Sequence, residues 1–448
     1  MDSNLAPRAI DRRDFLKTTA AAGLALGSRS LGASAGGTND LRVALIGAGN
    51  QGMVLLESCQ KIPNIRITAL CDIWTEYRQK YVSGRLRIYG HEHQTYVDIH
   101  EMLQKEKGRL DAAIIATPDF WHAEHAIACL NAGLHVYCEK EMSNTLDDAR
   151  RIVRAARASG KLLQVGHQRR SNPRYRFSYQ KLLREASLVG RITTMSGQWN
   201  RSRQDPLTMP AKYNMAPATL EKYGYRSMEQ FLNWRWYRGL GGGPIVDLGS
   251  HQIDIFNWFL GARPASVMAS GGTDYYSKDT HEWYDNVMAV YEYPTPAGLV
   301  RAFYQTITTN GFGGYYELFL GDQGSLEISE SGARAKVYRD VANAPDWGSL
   351  VKRGLLMAPK DDPAPQTPPG VVLDVRETAP PPSYALPVQS LKLYHQPHLE
   401  NFFDAIRGRA KLNCPAEVGF ETAVTVLKVN EAVEAGRRLA FEPGDFEI

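Results

Sequence analysis

From Leu41 to Val165 the chain alternates short, mainly apolar runs with glycine-punctuated segments whose apolar residues recur at helical spacing. Apolar runs of this length fit strands covered on both faces, and strands are predicted over 42–46, 65–70, 111–116, 135–138 and 162–165. Between them, 122–132 and 146–159 read as helices closed by Gly133 and Gly160. Strands alternating with helices predict a parallel, doubly wound α/β sheet.

After about Arg170 the alternation stops. Strands are predicted over 193–199, 266–271, 287–293, 298–306 and 316–320 without regular helical crossovers, which predicts an α+β domain with a largely antiparallel open sheet and helices on one face. The stretch 358–387 holds nine prolines and reads as an extended surface arm. Helical periodicity returns over 399–407 and 418–436. No internal repeat is visible.

Length and composition refine this picture. At 448 residues the chain fits two domains, placed at 40–168 and 169–448. No apolar run approaches the ~20 residues of a membrane span, so no span is expected. The start combines Arg12-Arg13, Phe15-Leu16-Lys17, a weakly apolar run over 18–27 and Ala33-Ser34-Ala35. This order predicts a twin-arginine signal over 1–35, engagement of the twin-arginine export machinery and a periplasmic or otherwise exported protein. Removing those residues takes the net charge from +4 to +2, which gives no electrostatic case for nucleic acid. The five cysteines have no C-x-x-C spacing, so neither a disulfide framework nor a metal site is indicated.

Gly47-Ala48-Gly49-Asn50-Gln51-Gly52 follows a predicted strand and opens a helix, and Asp72 stands 20 residues beyond Gly52 at the end of the next strand. These are the joint conditions of a Rossmann dinucleotide fingerprint. Gly47 allows the tight turn, Gly49 lets backbone approach a pyrophosphate, and Gly52 permits close helix packing. Asp72 would accept hydrogen bonds from the adenine-ribose hydroxyls and repel a 2′-phosphate, which favours NAD over NADP. Thr117, Pro118 and His122, and then Glu139 and Lys140, follow later strands and fall in the loops where such folds bind ligands. His122 reads either as a helix residue packed on Trp121 or as a cofactor contact. Asn50, Gln51 and Glu139 are further candidate cofactor contacts, and Lys140 is expected beside the nicotinamide.

Gly241-Gly242-Gly243 leads into Asp247 and His251, spaced i and i+4 so that a helix would show both on one face. Asp254 is placed to orient the imidazole. In isolation such a pair reads better as a helix cap and a buried histidine, but here it is not isolated.

With these motifs together, the chain from Leu41 onward resembles the Gfo/Idh/MocA family, typified by glucose-fructose oxidoreductase and inositol dehydrogenase. His398, Asn401 and Phe402, with Ala405 to Gly408, add to the likeness. The resemblance implies an NAD-dependent oxidoreductase with a carbohydrate or polyol substrate, a pocket lined by Lys140, Asp247 and His251, and frequent homo-oligomers packed through the second sheet. Glu141 departs from it, standing where the family usually has proline and within reach of pairing with Lys140. Hydroxyl oxidation needs a base and a cation, roles that suit His251 and Lys140, while Asp247 would orient the hydroxyl or hold Lys140. An exported enzyme cannot exchange free NAD, so the cofactor is expected to stay tightly bound. Two alternatives follow: an NAD-dependent glycosidase working by transient oxidation and elimination, and a non-catalytic sugar-binding protein.

Overall fold

The computed structural model describes residues 40–358 and 381–448. The expected export signal and most of the proline-rich stretch lie outside the described residues. Six strands form the first sheet: β1 (Leu41–Ile46), β2 (Ile65–Cys71), β3 (Gln94–Tyr96), β4 (Ala112–Ile115), β5 (His135–Cys138) and β6 (Leu163–Val165). They are all parallel, in the order β3-β2-β1-β4-β5-β6, so the strand order reverses between β1 and β4. Helices α1 (Asn50–Cys59), α2 (Lys80–Ile88), α3 (Ile99–Lys105), α4 (His122–Asn131) and α5 (Leu146–Ser159) cover it on both sides.

The apolar runs are explained by this two-sided burial. Along β1, Val43 and Leu45 pack with Leu55 and Leu56 of α1 and Val82 and Leu86 of α2. Their neighbours Ala44 and Ile46 point the other way, into a core with Ala126 of α4 and Ile152 of α5. In β2 the pairing with β1 steps from Ile67 opposite Val43 to Ala69 opposite Ala44, leaving Thr68 as one extra residue. Ile67 and Leu70 therefore share one core while Ala69 and Cys71 face the other. Without the bulge the last side chains of β2 would exchange faces.

The second sheet has nine strands: β7 (Ile192–Asn200), β8 (Ser266–Gly272), β9 (Asn286–Thr295), β10 (Gly298–Ile307), β11 (Tyr315–Gly321), β12 (Gly324–Ile328), β13 (Lys336–Arg339), β14 (Ser383–Ala385) and β15 (Leu439–Ala440). All its pairings are antiparallel except β7 with β10, so the sheet is mixed. Ser383–Ala385, within the stretch expected to be a surface arm, is an edge strand whose Tyr384 is buried. Alternate residues Val287, Ala289, Tyr291 and Tyr293 of β9 are buried in a core shared with α6 (Ser250–Leu260).

Two C-terminal helices complete the first sheet, and the second of them also serves the second sheet. Leu399, Phe402 and Phe403 of α7 (Gln396–Ile406) fill the core beneath α1 and α2. On the opposite face, Phe420, Ala423 and Val424 of α8 (Ala416–Ala435) pack with α4 and α5, while Val426, Val429 and Ala432 reach the second core. Each sheet's core thus depends on residues distant in sequence. Phe403→Ala should destabilise the dinucleotide-binding half by about 3–5 kcal/mol, the usual cost of emptying a buried aromatic site. Urea unfolding followed by tryptophan fluorescence checks this, and a loss under about 1 kcal/mol would show that α7 is not part of that core.

Candidate active site

Because the first sheet is parallel, the loops after β1, β2, β4 and β5 emerge at one end. Gly47 leaves β1 at φ +93°, and its N–H donates to Cys71 O at 2.9 Å. A Cβ there would lie 2.7 Å from the Ala116 carbonyl, and one on Gly52 would lie 2.0 Å from Gly47 O. Both glycines are therefore fixed by close backbone packing. A Cβ on Gly49, by contrast, would meet nothing within 4 Å. Gly49 precedes α1, whose first turn carries neither a side-chain cap nor an acid. The open backbone and unneutralised helix N-terminus fit a pyrophosphate.

Asp72 ties this loop together. Its Oδ2 accepts from Ala48 N at 2.6 Å and its Oδ1 from Trp74 N at 2.7 Å. Burial raises this carboxyl above its ordinary range, and the two N–H bonds and Arg78 pull against that rise. A carboxylate has about four acceptor sites, so ribose hydroxyls can still bond to it. Asn50 Oδ1 accepts from Arg78 Nη2 at 2.7 Å, so a cation that the fingerprint does not specify stands beside the loop. Gln51 donates to Glu139 Oε1 at 3.0 Å and faces His395 Nε2 at 3.0 Å, joining α1 to the loop after β5 and to the residue before α7.

His122 and Thr117 both have partners within the protein. The imidazole is buried, with Nδ1 2.8 Å from Glu141 O and Nε2 2.8 Å from Thr117 O. Burial lowers its pKa to about 4. Neutral, it has one N–H to donate to one carbonyl or the other, and Thr117 presents its hydroxyl to His125 at 3.1 Å. Pro118 precedes the single turn Asp119–Trp121.

Lys140 leaves β5 and reaches the second half of the chain. Its Nζ donates to the Asp247 carbonyl and stands 3.7 Å from Asp247 Oδ1. The Lys140–Glu141 peptide is cis. Glu141 does not pair with Lys140 as the sequence suggested. It turns inward, where Oε1 accepts from Met142 N at 2.8 Å and Oε2 lies 3.9 Å from His167 Nε2. Burial lifts the Glu141 carboxyl to about 8 and lowers the His167 imidazole to about 4.

Asp247 sits in a wide π-type turn, Ile245–Gly249, that runs into α6, where His251 occupies the first turn. The glycine-rich entry is packed against an indole: a Cβ on Gly243 would lie 2.9 Å from the Trp283 ring, and Trp283 Nε1 donates to Gly241 O at 2.6 Å. Burial alone would raise the Asp247 carboxyl, but Arg235, Lys140 and Arg201 outweigh it and hold Asp247 well below the carboxylate range. His251 is buried, with its ring 5.3 Å from that of Trp199 and Nδ1 without a partner among the described residues. Burial, reinforced by Lys140 and Arg169, drives its pKa far down, so it is neutral at physiological pH. Asp254 does not orient this imidazole. It takes Arg170 Nε at 2.9 Å on both oxygens and the Thr422 hydroxyl at 2.8 Å, because a carboxylate buried beside a guanidinium pairs with it.

Three site residues escaped the sequence reading. Arg235 Nε donates to Asp247 Oδ1 at 3.1 Å, and Arg201 Nη1 lies 3.6 Å from Oδ2. Neither arginine belongs to a recognisable motif. Asp119 was visible beside Thr117 and Pro118, yet only the structure shows it buried with Oδ1 unpartnered. Burial, with Asp247 adding to it, raises this carboxyl to about 7 against the pull of Arg235 and Lys140. Among the described residues no cluster of His, Cys, Asp and Glu has the geometry of a metal site, and no helix is long and apolar enough to cross a membrane.

Comparison with known proteins bears on the two halves of the chain. Residues 41–167 match the family profile described as "Oxidoreductase family, NAD-binding Rossmann fold", and residues 180–327 match "GFO/IDH/MocA C-terminal domain". The chain is 32% identical over 143 residues to a 4-carboxy-2-hydroxymuconate-6-semialdehyde dehydrogenase of Sphingobium, covering 32% of this chain and 43% of that one. It is 27% identical over 336 residues to a 1,5-anhydro-D-fructose reductase of Ensifer adhaerens, covering 75% and 81%. The matched region spans about half the length of several curated relatives. In fold the chain is similar to the WlbA dehydrogenase of Bordetella pertussis, solved with NADH and UDP-GlcNAcA. That likeness has a TM-score of 0.66 at 18% identity and covers 90% of this chain and 99% of the other.

Glu141 gives this site a pH signature. Unfolded, its carboxyl titrates near 4.3; folded, near 8. Between those values the native chain holds a proton that the unfolded chain has released, so its contribution to stability falls as pH rises through the window. Glu141→Gln removes that loss. The melting temperature of the variant relative to wild type should climb from about pH 5 to pH 8 and level off above it. Thermal melts across this range check the claim, and a constant difference would refute it.

Proposed function

The chain belongs to the Gfo/Idh/MocA family of NAD-binding oxidoreductases, and from that premise we propose that it oxidises or reduces one hydroxyl of a sugar, polyol or glycoside. In this reading NAD is preferred and stays tightly bound between turnovers. The observation that carries it is the meeting of Lys140, from the sheet end beside the dinucleotide cradle, with Asp247 one turn before His251. Bound in the cradle, NAD supplies a hydride acceptor. The chain's own residues manage the proton and the developing charge. The Lys140 ammonium donates to the substrate oxygen and stabilises it as the hydroxyl proton leaves. His251, neutral and buried, accepts that proton, and Asp247 keeps Lys140 aimed.

Export through the twin-arginine route is part of this reading, supported by Arg12-Arg13 and the residues after them. Self-association through the second sheet is another part. Met268, Val290 and Phe303 stand side by side across β8, β9 and β10, with Met268 and Phe303 exposed on the outer face.

One observation favours a second reading, the NAD-dependent glycosidase. Asp119 is a carboxyl that titrates near neutrality beside Lys140 and Asp247, and it would supply the proton a leaving aglycone needs. Aryl glycosides in deuterated water separate the two. Aglycone release with deuterium at the carbon next to the oxidised one supports the glycosidase, and intact glycoside supports the oxidoreductase.

Lys140→Ala and His251→Ala should each lower turnover at least ~100-fold while cofactor remains bound. Near-normal turnover in either variant would remove that residue from the chemistry. Protein recovered from the exported fraction should release NAD, not NADP, when denatured, as read by mass spectrometry. Asp72→Ala should weaken NAD binding and narrow the preference between the two dinucleotides; tighter NADP binding by wild-type apo-protein would overturn the role of Asp72.

A further inference from the structure

The charges around Asp247 do not balance. Lys140 Nζ, Arg235 Nε and Arg201 Nη1 lie 3.7, 3.1 and 3.6 Å from its two carboxylate oxygens, so three cations share one anion. They are also arranged in depth. The side chains of Lys140 and Asp247 are 12% and 23% exposed, whereas those of Arg201 and Arg235 are 37% and 48% exposed. Lysine and aspartate therefore form the inner part of the group, and the two guanidiniums stand at its mouth.

Each guanidinium lies over an aromatic ring. Arg201 follows β7 and lies over Trp199 at 5.3 Å, and Arg235 lies over Trp234 at 4.3 Å. A ring restricts the planar fork and leaves its edge free, which lowers the entropy lost when that edge takes a planar or tetrahedral anion. Arg235 uses Nε on Asp247, and no other side-chain hydrogen bond of either arginine occurs among the described residues. Of the five donors on each group, most are thus unspent.

Neighbouring charges do not cancel the excess. Arg169 is matched by Glu317 and Glu330, and Arg170 by Asp254, all buried. Two further acids act on this group, Asp119 and Glu141, and burial raises both, to about 7 and about 8, so neither carries a full charge at neutral pH. A neutral polyol would need Lys140 and Asp247 but not the two outer cations.

We propose that the substrate carries an anionic substituent, a carboxylate or a phosphate, held by Arg201 and Arg235 while its reacting hydroxyl meets Lys140 and His251. This rests on the reading of Lys140, Asp247 and His251 as the substrate pocket. Electrostatic capture at the mouth orients the sugar, and the guanidinium edges fix which end enters.

The test uses the NAD-loaded enzyme and matched sugars: gluco-, galacto- and mannuronate, the corresponding hexose 6-phosphates and the parent hexoses. Calorimetric titration should show at least one acid or phosphate binding roughly 30-fold or more tightly than its neutral parent, the scale of one or two charged hydrogen bonds. Preference for the uronates identifies a carboxylate, and preference for the phosphates identifies a phosphate. The advantage should shrink with salt and fall about tenfold or more in Arg201→Gln and in Arg235→Gln. Arg→Lys at either position should restore part of it, since charge returns without the fork. Equal binding of acid, phosphate and neutral sugar, or no binding by any anionic member, overturns the proposal. Selective anion binding without hydride transfer to any member upholds it and instead counts against the assigned chemistry.

Discussion

The site depends on one junction, the contact of the Lys140 ammonium with the Asp247 carbonyl and carboxylate. Lys140 is delivered by a strand of the parallel sheet and Asp247 by a turn leading into a helix of the other half. Neither group is comfortable alone: a largely covered ammonium and carboxylate each lose part of the solvation of water. Their pairing offsets that loss and sets the position of the dinucleotide cradle relative to His251. Arg201 and Arg235 add to it from the outside, so the carboxylate stays ionised despite its burial.

A second buried ion network supports the floor beside His251. Arg169, four residues past β6, donates to Glu317 and to Glu330, and Tyr175 donates to Glu317. The same guanidinium lies 5.5 Å from the rings of both Trp199 and Tyr315, which stack at 4.7 Å. Trp199 in turn meets both His251 and Arg201. The exit from the first sheet therefore positions the aromatic surface of the second. Removing either acid would leave Arg169 buried with too little countercharge, which is far costlier than losing an exposed pair.

Most of the architecture was legible because burial writes a simple code. Strands covered on both faces are apolar at every position, as at Ile114 and Ile115, and strands covered on one face alternate, as along β9. The glycines were legible for a stricter reason: Gly47 and Gly52 touch backbone atoms where no Cβ fits. What stayed hidden needs knowledge of distant partners. Asp254 looked like a support for His251 until Arg170 and Thr422 were seen to claim it. The sequence left His122 open between a packed helix residue and a ligand contact, and the backbone carbonyls facing its nitrogens belong to two separate loops that no local pattern shows. Arg201 and Arg235 lie in a segment without periodicity, and only the fold carries them to Asp247. The extra residue Thr68 leaves no trace in an apolar run, since an inserted residue there looks like any other strand residue.

The placement of α7 and α8 also governs how the chain can be made. Domains emerging from the ribosome usually fold from the N-terminal end, at the pace of synthesis. Here the first sheet is complete in sequence by Val165, yet parts of its two covering layers are Leu399, Phe402 and Phe403 on one side and Phe420, Ala423 and Val424 on the other. At about 5–20 residues per second the nascent sheet waits more than ten seconds for them, with apolar surface exposed on both faces. The covering layers of the dinucleotide-binding sheet are therefore complete only once α7 and α8 have been made, which makes the emerging half-domain a natural client for chaperones.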